Sequence, residues 1–263
     1  SLMVPPSTQE IFFYRFLIAY IGIWAISPKH LFADNLKDEL WLVAGGVFGG
    51  SLYFFTENTA LGITQASNVA FIICTAPLLT TILSLLFYKS EKATKGLIYG
   101  SLLALIGVGL VVFNGSVVLK LSPVGDLLTL LAALSWAFYS LVIKRMTGRY
   151  PTVFITRKIF FYGVLTILPA FLLHPLQPDF DVLLQPLVLS NLLFLAVLAS
   201  LICYILWNVV LKQLGTMRAS NYIYLNPLVT MVASVLILHE QITWITLMGA
   251  ACIILGVYLV EKK

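Results

Sequence analysis

Charged side chains are scarce in this chain. Of its 263 residues, 16 are Lys or Arg and 11 are Asp or Glu, 10% in all, where a soluble domain carries roughly 25%. No stretch is long and polar enough to form a separate soluble domain. Histidine is rare too. His30, His174 and His239 stand apart at the ends of apolar runs, and no cluster of cysteines or carboxylates has metal-ligand spacing. There is no Gly-x-x-x-x-Gly-Lys loop to cradle phosphates and no Gly-x-Ser-x-Gly nucleophile elbow. These absences remove the common signatures of an enzyme, and the sequence implies no cofactor and no metal. The three cysteines, Cys74, Cys203 and Cys252, fall inside apolar runs and read as small packing residues. The net charge of +5 does not indicate nucleic-acid binding, because the placement of the basic residues accounts for it.

Hydrophobic residues make up 60% of the chain. Runs of about 20 apolar residues recur along its length, and each can cross a hydrocarbon core of about 30 Å. Nine are legible, at roughly 9–28, 40–61, 66–88, 96–114, 125–146, 153–174, 188–212, 217–238 and 243–260. Each is expected to be a helix, since lipid offers nothing to satisfy an open sheet edge. The fold class is therefore all-α, a polytopic membrane protein in the lipid bilayer. Short connections make consecutive helices antiparallel neighbours.

The membrane segments repeat. Asn58 and Asn208, Leu61 and Leu211, and Pro77 and Pro227 lie 150 apart; Glu91 and Glu240, Gly100 and Gly249, and Gly107 and Gly256 lie 149 apart. Five helices per copy, an odd number, would insert the second copy upside down, giving an inverted structural repeat. The basic residues divide by side. Lys29, Lys37, Lys89, Lys92, Lys95, Lys144, Arg145, Arg149, Lys212, Arg218, Lys262 and Lys263 fall on one side, and Lys120 alone on the other. The positive-inside rule then puts the C-terminus in the cytoplasm and residue 1 outside. A helix ahead of Ser1, absent from this chain, would bring the nine helices to an expected ten.

Two segments carry a resemblance, "ENTALGITQASNVAFIICTAPLLTTILSLLFYKSE" and "LWNVVLKQLGTMRASNYIYLNPLVTMVASVLILHEQITWITLMGAACIILGVYLV". In each, Asn-x-x-Leu near a helix end leads to a helix with a central proline, a glutamate-containing loop and a glycine-bearing closing helix. The segment "GDLLTLLAALSWAFYSLVIKRM" fits as well. Over essentially its whole length the chain resembles the drug/metabolite transporter superfamily, EamA type. That resemblance implies a first repeat at 1–120, with four helices and its first helix missing, and a second at 121–263 with five. It also implies a carrier of small molecules in the cell inner (cytoplasmic) membrane.

Particular residues stand out against the apolar background. A charge at mid-bilayer costs several kcal/mol, so Arg15 and Glu57 draw notice. Each lies about 8–9 Å inside its span at the helical rise. Arg15 reads as snorkelling to headgroups, or as facing an outer vestibule where it binds an anion or pairs with Glu57. Glu57 reads as structural, or as a proton-coupling or amine-binding carboxylate. Arg157 and Lys158, at the start of the sixth span, read as snorkelling, or as lining an inner mouth. Asn58 and Asn208 are either helix–helix glue or substrate contacts. Tyr224 and Asn226 crowd before Pro227. Tyr204, Trp136 and Tyr139 add amphipathic rings, the last two on one face near mid-span. Together these residues are the candidate lining of a cavity for small amphipathic metabolites. Pro77 and Pro227 cannot donate to the carbonyls of Ile73 and Ile223, and read as tolerated kinks or as hinges. Gly45, Gly46, Gly49, Gly50, Gly96 and Gly100 are expected at close helix contacts.

The expected function is a secondary transporter exporting amino acids or related small metabolites by alternating access, with protons as a candidate coupling ion. Uptake or exchange of a phosphorylated or nucleotide-linked metabolite stays open, with Arg15, Arg157 and Lys158 as anion binders. So does the other class, a passive channel or membrane-embedded enzyme. No nucleic-acid partner is expected. One chain can form a pathway, so an oligomer is not required.

Overall fold

A computed structural model describes residues 7–28, 31–88, 92–114, 122–172, 175–176, 179–238 and 242–262. Glu91, Glu240, Lys29, Lys89, Lys120, Lys263 and the three histidines lie outside these residues. Among the described residues there is no strand. The helices are α1 (Thr8–Ile26), α2 (Leu36–Gly46), α3 (Leu52–Leu61), α4 (Ala66–Ile73), α5 (Ala76–Phe87), α6 (Lys95–Phe113) and α7 (Pro123–Thr147), then α8 (Thr152–Ile167), α9 (Phe180–Leu183), α10 (Pro186–Leu193), α11 (Cys203–Leu214), α12 (Thr216–Asn221), α13 (Asn226–Leu238) and α14 (Trp244–Glu261). π-helical turns at Val47–Ser51 and Phe194–Ile202 join α2 to α3 and α10 to α11.

Eight of the described helices or joined helices are long and apolar enough to cross a membrane. They correspond to eight of the nine runs read from the sequence. The other run, 40–61, is the helix Leu36–Leu61, about 39 Å long at the usual rise. It is less apolar because Ser51, Tyr53, Thr56, Glu57, Asn58 and Thr59 interrupt it.

Helix starts follow from local chemistry. Ser7 and Glu10 form a reciprocal capping box on α1. Asn35 accepts from the Asp38 amide at 2.8 Å, and Thr94 accepts from the Leu97 amide at 3.1 Å. Gly215 joins α11 to α12 at φ +79°, a conformation L side chains rarely adopt.

The chain packs as two compact units, one of residues 1–55 and 142–213, the other of 56–141 and 214–263. Each draws segments from both halves of the sequence. In the first, α1 packs on α8 and on the 194–202 turn, and α2 packs on α8. Phe16 sits at its centre, with ring centroids 4.3 Å from Phe12, 5.0 Å from Phe160 and 5.7 Å from Tyr204. The small residues of α2 and its turn allow this. Gly46 abuts Tyr162 and Gly163, and a Cβ on Gly50 would lie 3.3 Å from the Gly163 Cα.

In the second unit, α6 packs along α14. A Cβ on Gly100 would stand 2.5 Å from the Gly256 carbonyl, and one on Gly107 2.6 Å from the Gly249 carbonyl. Ascending α6 therefore means descending α14, so the two helices are antiparallel. The repeat offset of 149 turns Gly100 into Gly249 and Gly107 into Gly256, so it exchanges these two contacts. A pair of antiparallel helices with exchanged contacts has a local two-fold relation, the geometry expected for closing helices of inverted repeats.

Candidate functional site

A cavity of about 610 Å³ opens in the second unit. Its walls come from α3 and α4, the end of α6, α13 and the start of α14. Leu61, Val69, Ile73, Val111, Met231 and Val235 supply apolar surface. Glu57, Ser67, Asn114, Asn226, Thr230 and Thr246 supply the polar groups. Among the described wall residues Glu57 is the one carboxylate, and none is Lys or Arg. This mixture of apolar walls and a few convergent polar groups is the usual make-up of a small-molecule site.

Helix breaks shape the cavity. The span 66–87 breaks at Cys74–Thr75, and Pro77 becomes the second residue of α5. The span from Thr216 narrows to a 3-10 turn at Tyr222–Leu225, and Pro227 becomes the second residue of α13. The two prolines thus occupy the same place in the two copies, at the start of a new helical segment, where a missing N–H is best tolerated. Thr75 tightens the first break, its hydroxyl donating to the Ile72 carbonyl at 2.7 Å. Ile73, whose carbonyl cannot receive a bond from Pro77, is on the cavity wall. At another corner α6 ends on Asn114 in the left-handed conformation, φ 42°. Asn114 accepts a hydrogen bond from the hydroxyl of Thr243, the capping residue of α14. Asparagine tolerates that conformation better than most residues.

The sequence-derived candidates are distributed over both units. Glu57, Asn226 and Pro227 line the cavity together. Asn58, half-buried, is next to Glu57 but not on the wall. Tyr224 is fully buried beneath the wall, packed with Cys74, Ala104 and Ile253. Trp136 and Tyr139 pack against each other at 5.1 Å, with Tyr139 fully buried, and neither is on this wall. Ser67, Asn114, Thr230 and Thr246 were not anticipated. For Thr230 a signal existed: Pro-Leu-x-Thr-x-x-x-Ser occurs at both 77–84 and 227–234.

Arg15, Tyr204 and Asn208 belong to the first unit. Arg15 donates to the Ser200 hydroxyl at 2.8 Å and lies 4.6 Å over the Phe54 ring. Ser200 is held by the carbonyl five residues back, Leu195, at 2.8 Å, so the π-helical turn positions it. Tyr204 donates to the Gly49 carbonyl at 2.5 Å, inside the other π-helical turn. Asn208, fully buried, donates to the Thr156 hydroxyl at 2.9 Å and so links α11 to α8.

At one end of that unit the charges gather. Arg157 and Lys158 do not snorkel: their exposures are 2% and 3%. Lys158 pairs with Glu39, which also accepts from the Tyr162 hydroxyl, and the rings of Phe32 and Tyr162 lie 4.8 and 5.0 Å from the ammonium. Arg157 donates to the Ser27 carbonyl at the end of α1. Arg149 grips both oxygens of Asp38 at 2.7 and 2.9 Å, and Tyr150 donates to one of them at 3.1 Å. Asp38 precedes the apolar run of its helix, and the Arg149 guanidinium holds its carboxyl below the usual range. Burial of two adjacent cations is tolerable because each has partners at once.

Taken together, the spans, the inverted pair of closing helices and the cavity define a polytopic membrane protein of the transporter class. The EamA-like transporter family model matches residues 4–113 and again 123–261, so the chain belongs to the EamA-like transporter family, within the drug/metabolite transporter superfamily. An uncharacterized transporter of Archaeoglobus fulgidus is 28% identical, over 95% of this chain and 86% of that protein. The uncharacterized transporter YyaM of Bacillus subtilis is 30% identical, over 96% and 83%. A probable amino-acid metabolite efflux pump of Salmonella typhimurium is 27% identical, over 88% and 80%. One solved crystal structure superposes with a TM-score of 0.77 at 18% identity, over 99% of this chain and 88% of the other, which supports the fold.

Proposed function

We propose that this protein is a secondary transporter exporting amino acids or related small metabolites across the cytoplasmic membrane by alternating access. Among its relatives is a protein named as a probable amino-acid metabolite efflux pump. The observation that carries the reading within this chain is the placement of Glu57 on a cavity wall whose other described residues are apolar or uncharged. In a low-dielectric setting a carboxylate on a cavity wall attracts a cationic group, so Glu57 receives the substrate's ammonium. The Asn226 amide offers hydrogen bonds to its carboxylate, and Val69, Ile73 and Val111 take its side chain. Glu57 is also the candidate proton carrier, and Pro77 and Pro227 are the candidate hinges. The repeats at 1–120 and 121–263 provide the two related halves that alternating access uses. The C-terminus lies in the cytoplasm, with residue 1 outside.

The anionic-metabolite reading is less favoured, because Arg157 and Lys158 are buried against partners of their own. The test is Glu57→Gln in the full-length protein reconstituted into liposomes. We expect amino-acid exchange at least tenfold below wild type and no response to a pH gradient. Unchanged exchange with an unchanged pH response would remove Glu57 from both roles.

A further inference from the structure

Three cations at the charged end of the first unit have protein acceptors. Arg149 holds Asp38, Lys158 holds Glu39, and Arg157 donates to the Ser27 carbonyl. Arg145 and Lys37, in the same unit, have none among the described residues. The Arg145 guanidinium lies 4.8 Å over the Trp41 ring, and its Nε is buried without a hydrogen-bond partner. Lys37 is exposed and stands one helical turn before Trp41, on the same face of α2. The Trp41 indole thus has one unmatched cation on its ring and another a turn away.

A guanidinium that is partly desolvated, fixed on a ring and unmatched calls for an anion. The two nearby acids do not fill that need, since Asp38 is bonded to Arg149 and Glu39 to Lys158. Lys37 lies in the first turn of α2, where the helix dipole disfavours a cation and favours an anion. Position selects the kind of anion. Trp41 falls at the start of the apolar run 40–61 and Arg145 at the end of the run 125–146. Both therefore lie where a hydrocarbon core gives way to headgroups. Leu36 and Leu40, beside Lys37 and Trp41 on α2, are 76% and 59% exposed. A soluble anion would use the two cations and leave the leucines bare; a phosphate joined to acyl chains uses both.

We propose that Lys37, Trp41 and Arg145 form a binding site for the phosphate of an anionic phospholipid. The indole holds the Arg145 guanidinium in place, and its remaining N–H groups donate to the phosphate oxygens. Lys37 adds a second positive charge, and Leu36 and Leu40 take the first methylenes of the acyl chains. A lipid held there ties the start of α2 to the end of α7. None of these residues lines the cavity, so the site is independent of the cargo.

The test is native mass spectrometry of the full-length protein in neutral detergent, titrated with phosphatidylglycerol, phosphatidylcholine or inorganic phosphate. We expect wild type to prefer phosphatidylglycerol to phosphatidylcholine. Lys37→Gln combined with Arg145→Gln should bind phosphatidylglycerol about tenfold more weakly. Lys92→Gln combined with Lys95→Gln removes the same charge from exposed positions of the second unit and should leave the affinity unchanged. Equal weakening by the two double variants would reduce the effect to diffuse attraction and overturn the site. Should the first double variant fail to fold, the exposed Lys37→Gln alone should weaken binding about threefold, and full affinity there would overturn the site. Arg145→Lys keeps the charge and loses the planar stack, so it should bind more weakly than wild type; equal binding would remove Trp41 from the site. Millimolar inorganic phosphate should leave bound phosphatidylglycerol in place. Displacement by it would assign the site to a soluble anion and defeat the lipid.

Discussion

Lys158 and Glu39 show what a buried ion pair does in a membrane protein. Each is costly alone in a low-dielectric setting, and each is tolerated through the other and through Tyr162. Lys158→Ala is therefore expected to destabilise by about 3–5 kcal/mol, the usual effect of stranding a buried charge. Combining it with Glu39→Gln should recover part of the loss. Thermal unfolding in detergent measures both, and a double variant no more stable than Lys158→Ala would show that the pair is not coupled. Asp38 gives a pH signature. Its native carboxyl titrates below the usual 3.8, because Arg149 is bonded to it. A depressed carboxylate contributes stability above its unfolded value and loses it as pH falls through its native value. Stability should thus fall as the pH drops below about 4, and Asp38→Asn should weaken that acid-side loss while lowering stability at neutral pH. An acid limb unchanged in Asp38→Asn would assign the loss to other carboxylates. These roles were poorly legible in sequence. Asp38 and Glu39 fall just before the expected span 40–61 and drew no reading, and whether Arg157 and Lys158 snorkel or pair depends on which helix lies beside them. Glu57 and Asn226 were legible because a polar group in an apolar run needs a reason to be there. Asn114, Thr230 and Thr246 were not, because amides and hydroxyls in membrane helices usually bond within or between helices.

Elements in this protein are joined at glycine. The α6–α14 seam brings backbones close enough that any side chain at Gly100 or Gly256 meets a carbonyl. Gly256→Leu should cost roughly 1–3 kcal/mol through overpacking. Gly148→Ala, with nothing within 4 Å of the added carbon, should be close to neutral. Equal thermal stability of the two variants would mean that the seam is not as close as described. The glycines of the seam could be paired as repeat mates, not as contacts, from their 149-residue offset, and the prolines likewise from their 150-residue offset. The form of the break could not. A proline specifies that a helix is interrupted, but whether it bends, narrows to a 3-10 turn or restarts is settled by its neighbours. The π-helical turns were equally hidden, because one inserted residue shifts a helix face without leaving a compositional mark. They matter here, since they present the Gly49 carbonyl to Tyr204 and Ser200 to Arg15.

For the whole molecule, the repeat in sequence and the compact units in space divide the chain differently. Each unit takes helices from both halves, so packing groups the helices otherwise than the repeat boundary expected near residue 120. That grouping is invisible to hydropathy, which counts spans but does not say which spans touch. The central claim concerns cargo and cycle together, and counterflow in proteoliposomes tests both. Liposomes holding the full-length protein and loaded with one unlabelled amino acid at a time would be diluted into labelled amino acid, with and without a pH gradient. The account predicts saturable, transient accumulation of label for one class of amino acid or closely related metabolite, accelerated by the internal pool. Flux that rises linearly with concentration and ignores the internal pool would contradict it in favour of a channel. Silence across the amino acids, with exchange of phosphorylated compounds, would contradict it in favour of an anion carrier.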